Sequence, residues 1–333
     1  MIAQKVFLKD INGNNIPKYL KIVNAFKDSI NTNSFESGDS IPSINEFSKN
    51  YRVSRDTVFK AYTLLKQQGY IKATPNKGYY VCEGRKKILL LISTFKAYKE
   101  VFYHAFMSAL SENVIVDLQF HHYKIKNFKS MLNTDDCIYY KYIVMGFNHP
   151  DVFDILSRID SDKLLLIDSK PAFKNVKNYV FQDFGQAFYS CLEKALHLFK
   201  KYEVLDFVYP EFTHHPPESI EFFKKFCKNY NFKCTISNNS KKFEVKKNTA
   251  YITVNDRMLH EILNQCSKSN FELGKDVGVL SYNDTPLKKF TYKGVSVISI
   301  DFKEFGVKVA GFINSSQTLK IHLETKLIIR DSL

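Results

Sequence analysis

The fold of the N-terminal region is decided by residues 42–58, which read PSINEFSKNYRVSRDTV. Ser43 and Glu46 have the S-x-x-E spacing of a capping box, which predicts a short helix that continues to Asn50. Ser54 is suited to cap a further helix after a turn. One face of that helix carries the apolar residues Val58, Ala61, Leu64 and Leu65. The stretch therefore predicts a helix, a turn and a second helix.

Elements on both sides of this stretch complete a small domain. Apolar residues at helical spacing predict an amphipathic helix from Ile16 to Ile30. On the other side, Gly69 ends the last helix, and the runs at 70–73 and 79–81 flank the turn residues 74–78. The pattern predicts a two-stranded hairpin after the helices, so residues 1–81 are expected to form a winged helix-turn-helix.

This part of the chain resembles the winged helix-turn-helix of GntR-type transcriptional regulators. The resemblance implies a domain that binds double-stranded DNA. It departs from the family at Asn45, where the family usually has an arginine that contacts DNA. The matching residues are Gly38-Asp39-Ser40-Ile41-Pro42-Ser43, Val53-Ser54-Arg55-Asp56-Thr57-Val58, Ala61-Tyr62, Leu65, Gly69-Tyr70-Ile71 and Gly78-Tyr79-Tyr80-Val81.

The residues expected to contact DNA lie at the starts of the two helices and in the wing. Arg55 is the best candidate for bidentate recognition of a base, because a guanidinium can donate two parallel hydrogen bonds. Lys60 and Lys77 are expected to contact phosphates, which gives affinity without sequence information. The complete predicted set is Ser43, Asn45, Ser54, Arg55, Asp56, Thr57, Lys60, Lys77 and Gly78.

Basic residues are densest in this N-terminal region. The chain has 48 Lys and Arg against 34 Asp and Glu, a net charge of +14. Through Tyr80 there are twelve basic and six acidic residues, so this region carries +6 and the rest carries +8. A basic excess favours binding to a polyanion through phosphate contacts. Charge and motif therefore indicate the same partner.

The composition is that of a globular protein. Of 333 residues, 44% are apolar and 25% are charged, which excludes disordered and fibrous classes and allows two domains. The run Ile88–Ile92 is far shorter than the roughly 20 residues of a transmembrane helix, so no membrane span is expected. Met1–Asp10 lacks the features of a secretory signal, so we expect a cytoplasmic protein. The six cysteines have no metal-binding spacing, so no metal is expected.

The charged segment 82–87 is interpreted as a linker, and residues 88–333 as a second domain. There, short apolar runs alternate with helical segments, which predicts a doubly wound α/β fold with parallel strands. We expect two lobes, one formed by about 88–184 and 300–318, the other by about 185–299 and 319–333. The lobe crossovers are expected near Asp183-Phe184, Ser299-Asp301 and residues 317–322.

Parallel sheets of this kind bind ligands at the carboxyl ends of their strands. The residues there combine aromatic rings, carboxylates and amides, a set that suits a polyhydroxylated ligand such as a sugar. The predicted effector-binding residues are Phe95, Lys96, Tyr98, His122, Phe147, Asn148, Asp168, Gln182, Asp183, Tyr209, Asn255, Asp256, Tyr282, Asn283 and Asp284.

The second domain resembles the effector-binding domain of the lactose/galactose repressor family, which shares the two-lobed fold of periplasmic sugar-binding proteins. The resemblance implies that Asn255 and Asn283 occupy ligand-contact positions. It departs from the family at Asn283, commonly an Asp, and at 216–220, where an expected ligand-binding Arg is missing. The matching segments are Val254–Met258, Leu273–Asp284, Val297–Phe302 with Phe305-Gly306, and Lys326–Ser332.

Together the two domains resemble regulators of the arabinose-repressor and fucose-regulator kind. This resemblance implies a homodimer that binds an approximately palindromic operator and changes its DNA affinity when a sugar closes the lobes. Two alternatives stay open: the second domain serves only dimerisation, or its ligand is a non-sugar or phosphorylated metabolite.

An enzyme is the competing hypothesis from another class. Some GntR-type proteins carry an aminotransferase-like domain, but that domain is longer than residues 88–333 and needs a Schiff-base Lys in its own motif, which is absent. The chain also has no Gly-rich phosphate loop, G-x-S-x-G elbow or H-E-x-x-H helix. The pairs His121-His122 and His214-His215 are interpreted as ordinary loop and pocket histidines. We therefore expect no catalysis and no cofactor.

Overall fold

The computed structural model of the protein describes residues 16–31, 34–75, 77–82, 86–132, 139–168, 176–315 and 317–333. These residues divide into two compact units. The first holds the residues up to Ile88 together with two short segments that end at Asp117 and Tyr140, and the second holds the rest. No helix in these ranges is long and apolar enough to span a membrane.

The N-terminal part of the first unit is a winged helix. Its sheet has the order β1-β3-β2 with antiparallel neighbours. The strand β1 was not predicted, because a strand of two residues has no sequence periodicity. The elements are α1 (Lys18–Asn31), β1 (Ser40–Ile41), α2 (Ile44–Tyr51), α3 (Arg55–Gln67), β2 (Ile71–Thr74) and β3 (Gly78–Val81).

Aromatic rings form the centre of this small core. The ring of Phe26 on α1 lies 5.5 Å from that of Phe47 on α2 and 5.6 Å from that of Tyr62 on α3. All three side chains are buried. The Tyr62 hydroxyl donates a 2.8 Å hydrogen bond to the carbonyl oxygen of Pro42, which fixes α3 against the segment before α2. The three helices therefore hold one another in a defined arrangement.

Lobe one contains a six-stranded sheet with the order β14-β8-β7-β6-β4-β5. The residues Ile88–Ile92 of its strand β4 are all fully buried, as expected for a strand covered by helices on both faces. The strands are β4 (Lys86–Ile92), β5 (Val114–Phe120), β6 (Tyr142–Met145), β7 (Leu164–Asp168), β8 (Tyr179–Gln182) and β14 (Lys320–Leu323). The helices are α4 (Ala97–Ser108), α5 (Ile125–Leu132), α6 (Asp151–Leu156) and α12 (Phe302–Asn314).

Lobe two contains a second six-stranded sheet, with the order β10-β9-β11-β12-β13-β15. Its strands are parallel except that β15 is antiparallel to β13. The strands are β9 (Val204–Val208), β10 (Lys233–Ser237), β11 (Thr249–Thr253), β12 (Val277–Tyr282), β13 (Ser296–Ser299) and β15 (Lys326–Ile328). The helices are α7 (Gln186–Lys194), α8 (Leu196–Phe199), α9 (Glu218–Asn229), α10 (Asp256–Lys268) and α11 (Pro286–Phe290). The predicted mixed α/β fold, a winged helix-turn-helix followed by two parallel-sheet lobes, is confirmed.

In lobe one, α4 and α12 pack closely against each other. The rings of Phe102 and Phe305 lie 4.6 Å apart. A Cβ added to Gly306 would lie 2.5 Å from the carbonyl oxygen of Phe102 and 2.6 Å from the amide nitrogen of Phe106. Only a glycine allows the two helix backbones to approach this closely.

The structure corrects the predicted lobe boundaries near the C-terminus. Residues 319–333 were assigned to lobe two, but Lys320–Leu323 pair with Tyr179–Gln182 in the sheet of lobe one. The last crossover consequently lies at 324–325, between β14 and β15, and not at 317–322. The short and largely exposed strand β14 lacks the apolar run on which the strand assignment depended.

The segment interpreted as a linker, 82–87, overlaps a strand at its end. Residues 83–85 lie outside the described ranges, but β4 already begins at Lys86. The amide of Lys86 donates a hydrogen bond of 2.8 Å to the carbonyl oxygen of Asn113, and the carbonyl of Lys87 accepts one from the amide of Tyr140. Lys86 and Lys87 therefore belong to the strand, because their backbone groups are already paired.

Candidate functional site

A concave surface opens where the starts of α2 and α3 face the wing. The hollow has a volume of about 520 Å³. Asn45, Arg55 and Asp56 are exposed there. The residues that line it are Ser43, Ile44, Asn45, Arg55, Asp56, Phe59 and Tyr79.

Three of the predicted hydroxyl contacts stabilise the starts of these helices. Ser43 and Glu46 form the predicted capping box, with the Ser43 amide donating to Glu46 Oε2 at 2.7 Å and the Glu46 amide to Ser43 Oγ at 3.2 Å. Hydrogen bonding of the Glu46 carboxylate with the Ser43 backbone amide, and then with the Ser43 side chain, lowers the pKa of Glu46. Ser54 Oγ accepts from the Thr57 amide at 3.2 Å and lies 2.7 Å from Thr57 Oγ1. Their first role is thus to hold the helix N-termini in shape.

The remaining predicted DNA contacts surround the hollow without lining it. Lys60 on α3 is exposed, as are Lys77 and Gly78 on the wing. Gly78 has φ +92°, a conformation that L side chains rarely adopt, and nothing lies within 4 Å of a Cβ added there. The wing turn therefore requires a glycine for its backbone.

Three residues of the hollow were not among the predicted DNA contacts: Ile44, Phe59 and Tyr79. Phe59 is 58% exposed although it is large and apolar. The ring of Tyr79 is fixed edge-on to that of Tyr62, with centroids 5.0 Å apart. An apolar residue on the otherwise polar face of α3 was the signal that could have identified Phe59.

A second concave site lies between the two lobes. Its volume is about 850 Å³, within the range of about 300–1,000 Å³ that is typical of ligand pockets. Lobe one contributes Ser93, Tyr123, Phe147, Asn148, His149 and Asp168 among others. Lobe two contributes Tyr209, Thr213, His214, His215, Pro216 and Pro217.

Of the predicted effector-binding residues, Phe147, Asn148, Asp168 and Tyr209 line this cavity. Asp168 has φ +82° and accepts a 2.8 Å hydrogen bond at Oδ1 from Gln182 Nε2, so Gln182 acts on the site through Asp168. Tyr98 packs on Phe302 at 4.8 Å between ring centroids. Burial raises the pKa of Tyr98, and the nearby negative charge of Asp168 acts in the same direction.

Other predicted residues of lobe one lie away from the cavity lining. Phe95 is 46% exposed and makes edge contacts with Tyr103 and Phe120. His122 is exposed, and Lys96 precedes α4 without a side-chain cap.

The neighbour of His122, His121, is a structural histidine. It is fully buried, its Nε2 lies 3.0 Å from the carbonyl oxygen of Met145, and its Nδ1 accepts a hydrogen bond from the amide of Tyr123. Its ring stacks on Phe147 with centroids 4.9 Å apart. Burial lowers the pKa of His121 to about 4, so the ring is neutral near pH 7. His121 therefore supports two aromatic residues of the cavity wall.

Two histidines of lobe two complete the wall. The ring of His214 stacks on that of Tyr123, and His215 lies 4.4 Å from the ring of Tyr282. The backbone carbonyl of His215 accepts a hydrogen bond from the Tyr209 hydroxyl. Burial lowers the pKa of His215 to about 3, and the charge of Lys96 contributes in the same direction. Its Nε2 is buried without a hydrogen-bond partner among the described residues.

Two predicted amides also carry buried atoms that lack a partner. Asn255 caps α10, because its Oδ1 accepts from the Met258 amide at 2.9 Å, which leaves Nδ2 as a donor. Among the described residues, Asn255 Nδ2, Asn283 Oδ1 and the Tyr282 hydroxyl have no hydrogen-bond partner. Buried polar atoms are normally paired. These three atoms are therefore suited to bind a polar ligand, although none of the three residues lines the cavity in this arrangement.

Two predicted carboxylates instead pair with cations of lobe two. Asp256 Oδ1 lies 2.8 Å from Nζ of the buried Lys288, which also donates to the carbonyl oxygens of Tyr282 and Asn283. Asp284 accepts two hydrogen bonds from the Arg330 guanidinium, at 2.9 and 2.8 Å. These pairs fix the loop after β12, so both acids have a positioning role here.

Asp183 has a similar backbone role. Its carboxylate accepts from the amides of Gly185 at 2.8 Å and Ala187 at 3.1 Å, and so orders the crossover into α7.

A buried lysine behind the cavity wall was missed. Lys99 is 2% exposed, and its Nζ donates a 2.5 Å hydrogen bond to Oγ of Ser93, which lines the cavity. Burial lowers the pKa of Lys99 to about 8, although Asp168 acts in the opposite direction. The described residues contain no cluster of three side chains that could hold a metal ion.

Two parts of the chain match models of known protein families. Residues 18–81 match the model of bacterial regulatory proteins of the gntR family, and residues 213–333 match that of the periplasmic binding protein-like domain. The uncharacterized HTH-type transcriptional regulator YcxD of Bacillus subtilis (strain 168) is 33% identical over 70 residues. That match covers 21% of this chain and 16% of the relative, so it concerns a small part of that protein.

Solved structures of repressors share the fold of the lobes. The trehalose repressor from Escherichia coli has a TM-score of 0.59 at 13% identity, covering 73% of this chain and all of that chain. A LacI family transcriptional regulator from Arthrobacter sp. FB24 in complex with lactose has a TM-score of 0.58 at 12% identity, covering 74% of this chain and 99% of that one. The chain thus joins a GntR-type DNA-binding domain of bacterial transcription regulators to a periplasmic-binding-protein-like domain with the fold of LacI-family repressors.

Proposed function

We propose that this protein is a cytoplasmic transcription regulator whose affinity for an operator is controlled by a sugar bound between its two lobes. It binds an approximately palindromic operator as a homodimer, through the hollow at the starts of α2 and α3. The observation that carries the proposal is the 850 Å³ cavity, whose wall is built from both lobes. A ligand that contacts both lobes favours one lobe arrangement over the other.

The chemistry of the cavity supports a polyhydroxylated ligand. The rings of Phe147, Tyr123 and Tyr209 offer apolar faces to the C–H surface of a sugar. The carboxylate of Asp168 and the amide of Asn148 can form hydrogen bonds with hydroxyl groups. Two structurally similar proteins are a trehalose repressor and a LacI family transcriptional regulator in complex with lactose, which is consistent with this ligand class.

The DNA-binding half of the proposal is supported by the exposed groups of the hollow. Asn45 lies near the start of α2 and Arg55 at the start of α3, and both are exposed in the same hollow. Hydrogen-bond donors at these positions can reach the base edges of a major groove. Lys60 and Lys77 add positive charge around it.

Thermal unfolding against a panel of pentoses, hexoses, deoxy-sugars and sugar phosphates tests the ligand half. A ligand at about 100 times its dissociation constant raises the free energy of unfolding of the unit that binds it by roughly 2.7 kcal/mol. A sugar that raises the melting temperature must also change the operator affinity, measured by fluorescence anisotropy. If only phosphorylated compounds stabilise the protein, the ligand is a phosphorylated metabolite and not a free sugar. A flat panel would favour a non-sugar ligand or a purely dimerising domain.

A further inference from the structure

We propose that Phe59 recognises a thymine in the operator by contacting its C5 methyl group. This inference rests on the proposed DNA-binding function and adds one base preference to it. It concerns a side chain whose exposure has no explanation in the packing of the winged helix.

Phe59 stands out among the apolar residues of α3. Val58, Ala61, Tyr62 and Leu65 are all buried in the core, whereas Phe59 is 58% exposed. Elsewhere in the described winged helix, the only other exposed large apolar side chain is Ile16, which precedes α1. A phenyl ring left in water forgoes a large part of the stabilisation that its burial would give. Its contact surface is therefore available to a partner.

The position of Phe59 indicates that this partner is DNA. It lies four residues after Arg55, so both side chains project from the same face of α3. Both line the 520 Å³ hollow, together with Asn45 on α2 and Tyr79 on the wing. A base edge that enters this hollow would meet an apolar ring beside a guanidinium.

The major groove offers one apolar group on its base edges, the C5 methyl of thymine. Four helical residues rise by about 6 Å, and successive base pairs are about 3.4 Å apart. Phe59 should therefore contact a thymine within two base pairs of the base that Arg55 recognises. A polar base edge opposite the ring would lose its hydrogen bonds to water without replacement.

The experiment first selects operator sequences from a random DNA pool with the full-length protein. Each thymine of the selected half-site is then replaced by deoxyuridine, which removes only the methyl group. Binding of the unmodified protein and of Phe59→Ala is measured by fluorescence anisotropy. Phe59→Leu retains an apolar contact, and Phe290→Ala removes a phenylalanine that is 84% exposed in the other compact unit.

At one position of the half-site, replacement of thymine by deoxyuridine should weaken binding of the unmodified protein about fourfold. This is the effect expected from the loss of one buried methylene-sized group. The Phe59→Ala variant should bind the thymine operator more weakly than the unmodified protein, by a similar factor or more. It should bind the thymine and deoxyuridine operators equally. Phe290→Ala should discriminate between the operators as the unmodified protein does, and Phe59→Leu should keep part of the discrimination.

Two results would overturn the inference while leaving the proposed function intact. One is specific binding that no deoxyuridine substitution weakens. The other is Phe59→Ala binding that still distinguishes thymine from deoxyuridine. Failure of the selection to yield any preferred sequence would instead overturn the proposed function, and this inference with it.

Discussion

The ring of Tyr123 in lobe one lies parallel to the ring of His214 in lobe two, with centroids 3.6 Å apart and planes inclined by 10°. Both residues line the cavity between the lobes. Burial lowers the pKa of His214, with Lys96 acting in the same direction, so the neutral ring is favoured. This stack is therefore a direct contact that holds the two lobes together beside the proposed ligand.

Replacing His214 with Ala should weaken the ligand response. An aromatic pair contributes about 0.5–1.5 kcal/mol beyond its buried area, so the ligand concentration for half-maximal response should rise by about twofold to tenfold. Titration of the operator complex with the stabilising sugar measures this change. His197→Ala, a histidine on α8 in lobe two, is the control. An unchanged titration curve for His214→Ala would show that the stack does not contribute to closure.

Replacing Arg55 with Ala should weaken specific operator binding by about 1–3 kcal/mol, or roughly fivefold to 150-fold. The loss should depend on the base opposite Arg55, whereas Lys60→Ala should weaken binding to all sequences and reduce its salt dependence. Anisotropy titrations at several salt concentrations separate the two effects. Because Arg55 is exposed, the melting temperature and sugar binding should not change. Operator affinity equal to that of the unmodified protein would refute the assignment of Arg55.

Asn255 does not line the cavity in this arrangement, but its unpaired Nδ2 can meet the ligand if the lobes close, so replacing Asn255 with Asp should impair ligand binding without unfolding the protein. The substitution keeps an oxygen that can accept from the Met258 amide and cap α10, but removes the Nδ2 donor. Sugar affinity, measured by calorimetry, should fall by about tenfold, as expected for the loss of one buried hydrogen bond. Apo operator binding should persist. Asn255→Ala removes the cap as well, and should lower the melting temperature in addition.

Gly306→Ala should destabilise lobe one, because the added Cβ would lie 2.5 Å from the Phe102 carbonyl oxygen. Overpacking of this kind costs about 1–3 kcal/mol. Gly311→Ala on the same helix is the matched control, since nothing lies within 4 Å of a Cβ added there. It should be neutral or stabilising by up to about 1 kcal/mol. Urea unfolding measures both, and equal effects would contradict the close approach of α4 and α12.

The second unit should lose stability in mild acid because of His121. The folded-state pKa of His121 is lowered to about 4, while the ring in the unfolded chain titrates near 6.5. The unfolded chain therefore binds a proton in this range and the folded chain does not, so stability is complete above pH 6.5 and falls as the pH drops towards 4. The contribution of His121 to this loss is about 3 kcal/mol. Urea unfolding between pH 7 and 4 should show a weaker dependence for His121→Gln, and an unaltered one for the exposed His104→Gln.

The fold was largely predictable because short local sequence patterns specify most of its helices and strands. The spacing of Ser43 and Glu46 alone predicted a capping box, and the apolar run of β4 predicted a buried parallel strand. The strand β14 was misassigned because it has only four residues and an exposed face, so its pairing with β8 depends on tertiary position and not on its own composition.

The site was less predictable because pairings between distant residues decide it. Asp284 looks like a ligand contact in sequence, but its partner Arg330 lies 46 residues away and binds both carboxylate oxygens. His214 was interpreted with the other paired histidines as an ordinary loop or pocket histidine, and only the structure shows that its ring stacks on Tyr123. Which polar atoms stay unpaired, such as Nδ2 of Asn255, depends on such contacts and leaves no trace in local sequence.

The chain passes between the lobes in three short segments, at 183–185, 300–301 and 324–325. Asp183 orders the first through the Gly185 amide, and Asp301 orders the second by accepting from the amides of Lys303 and Glu304. Three tethers of two or three residues permit the lobes to swing about a common axis but prevent them from sliding or separating. A molecule bound between the lobes would therefore act by changing the angle between them.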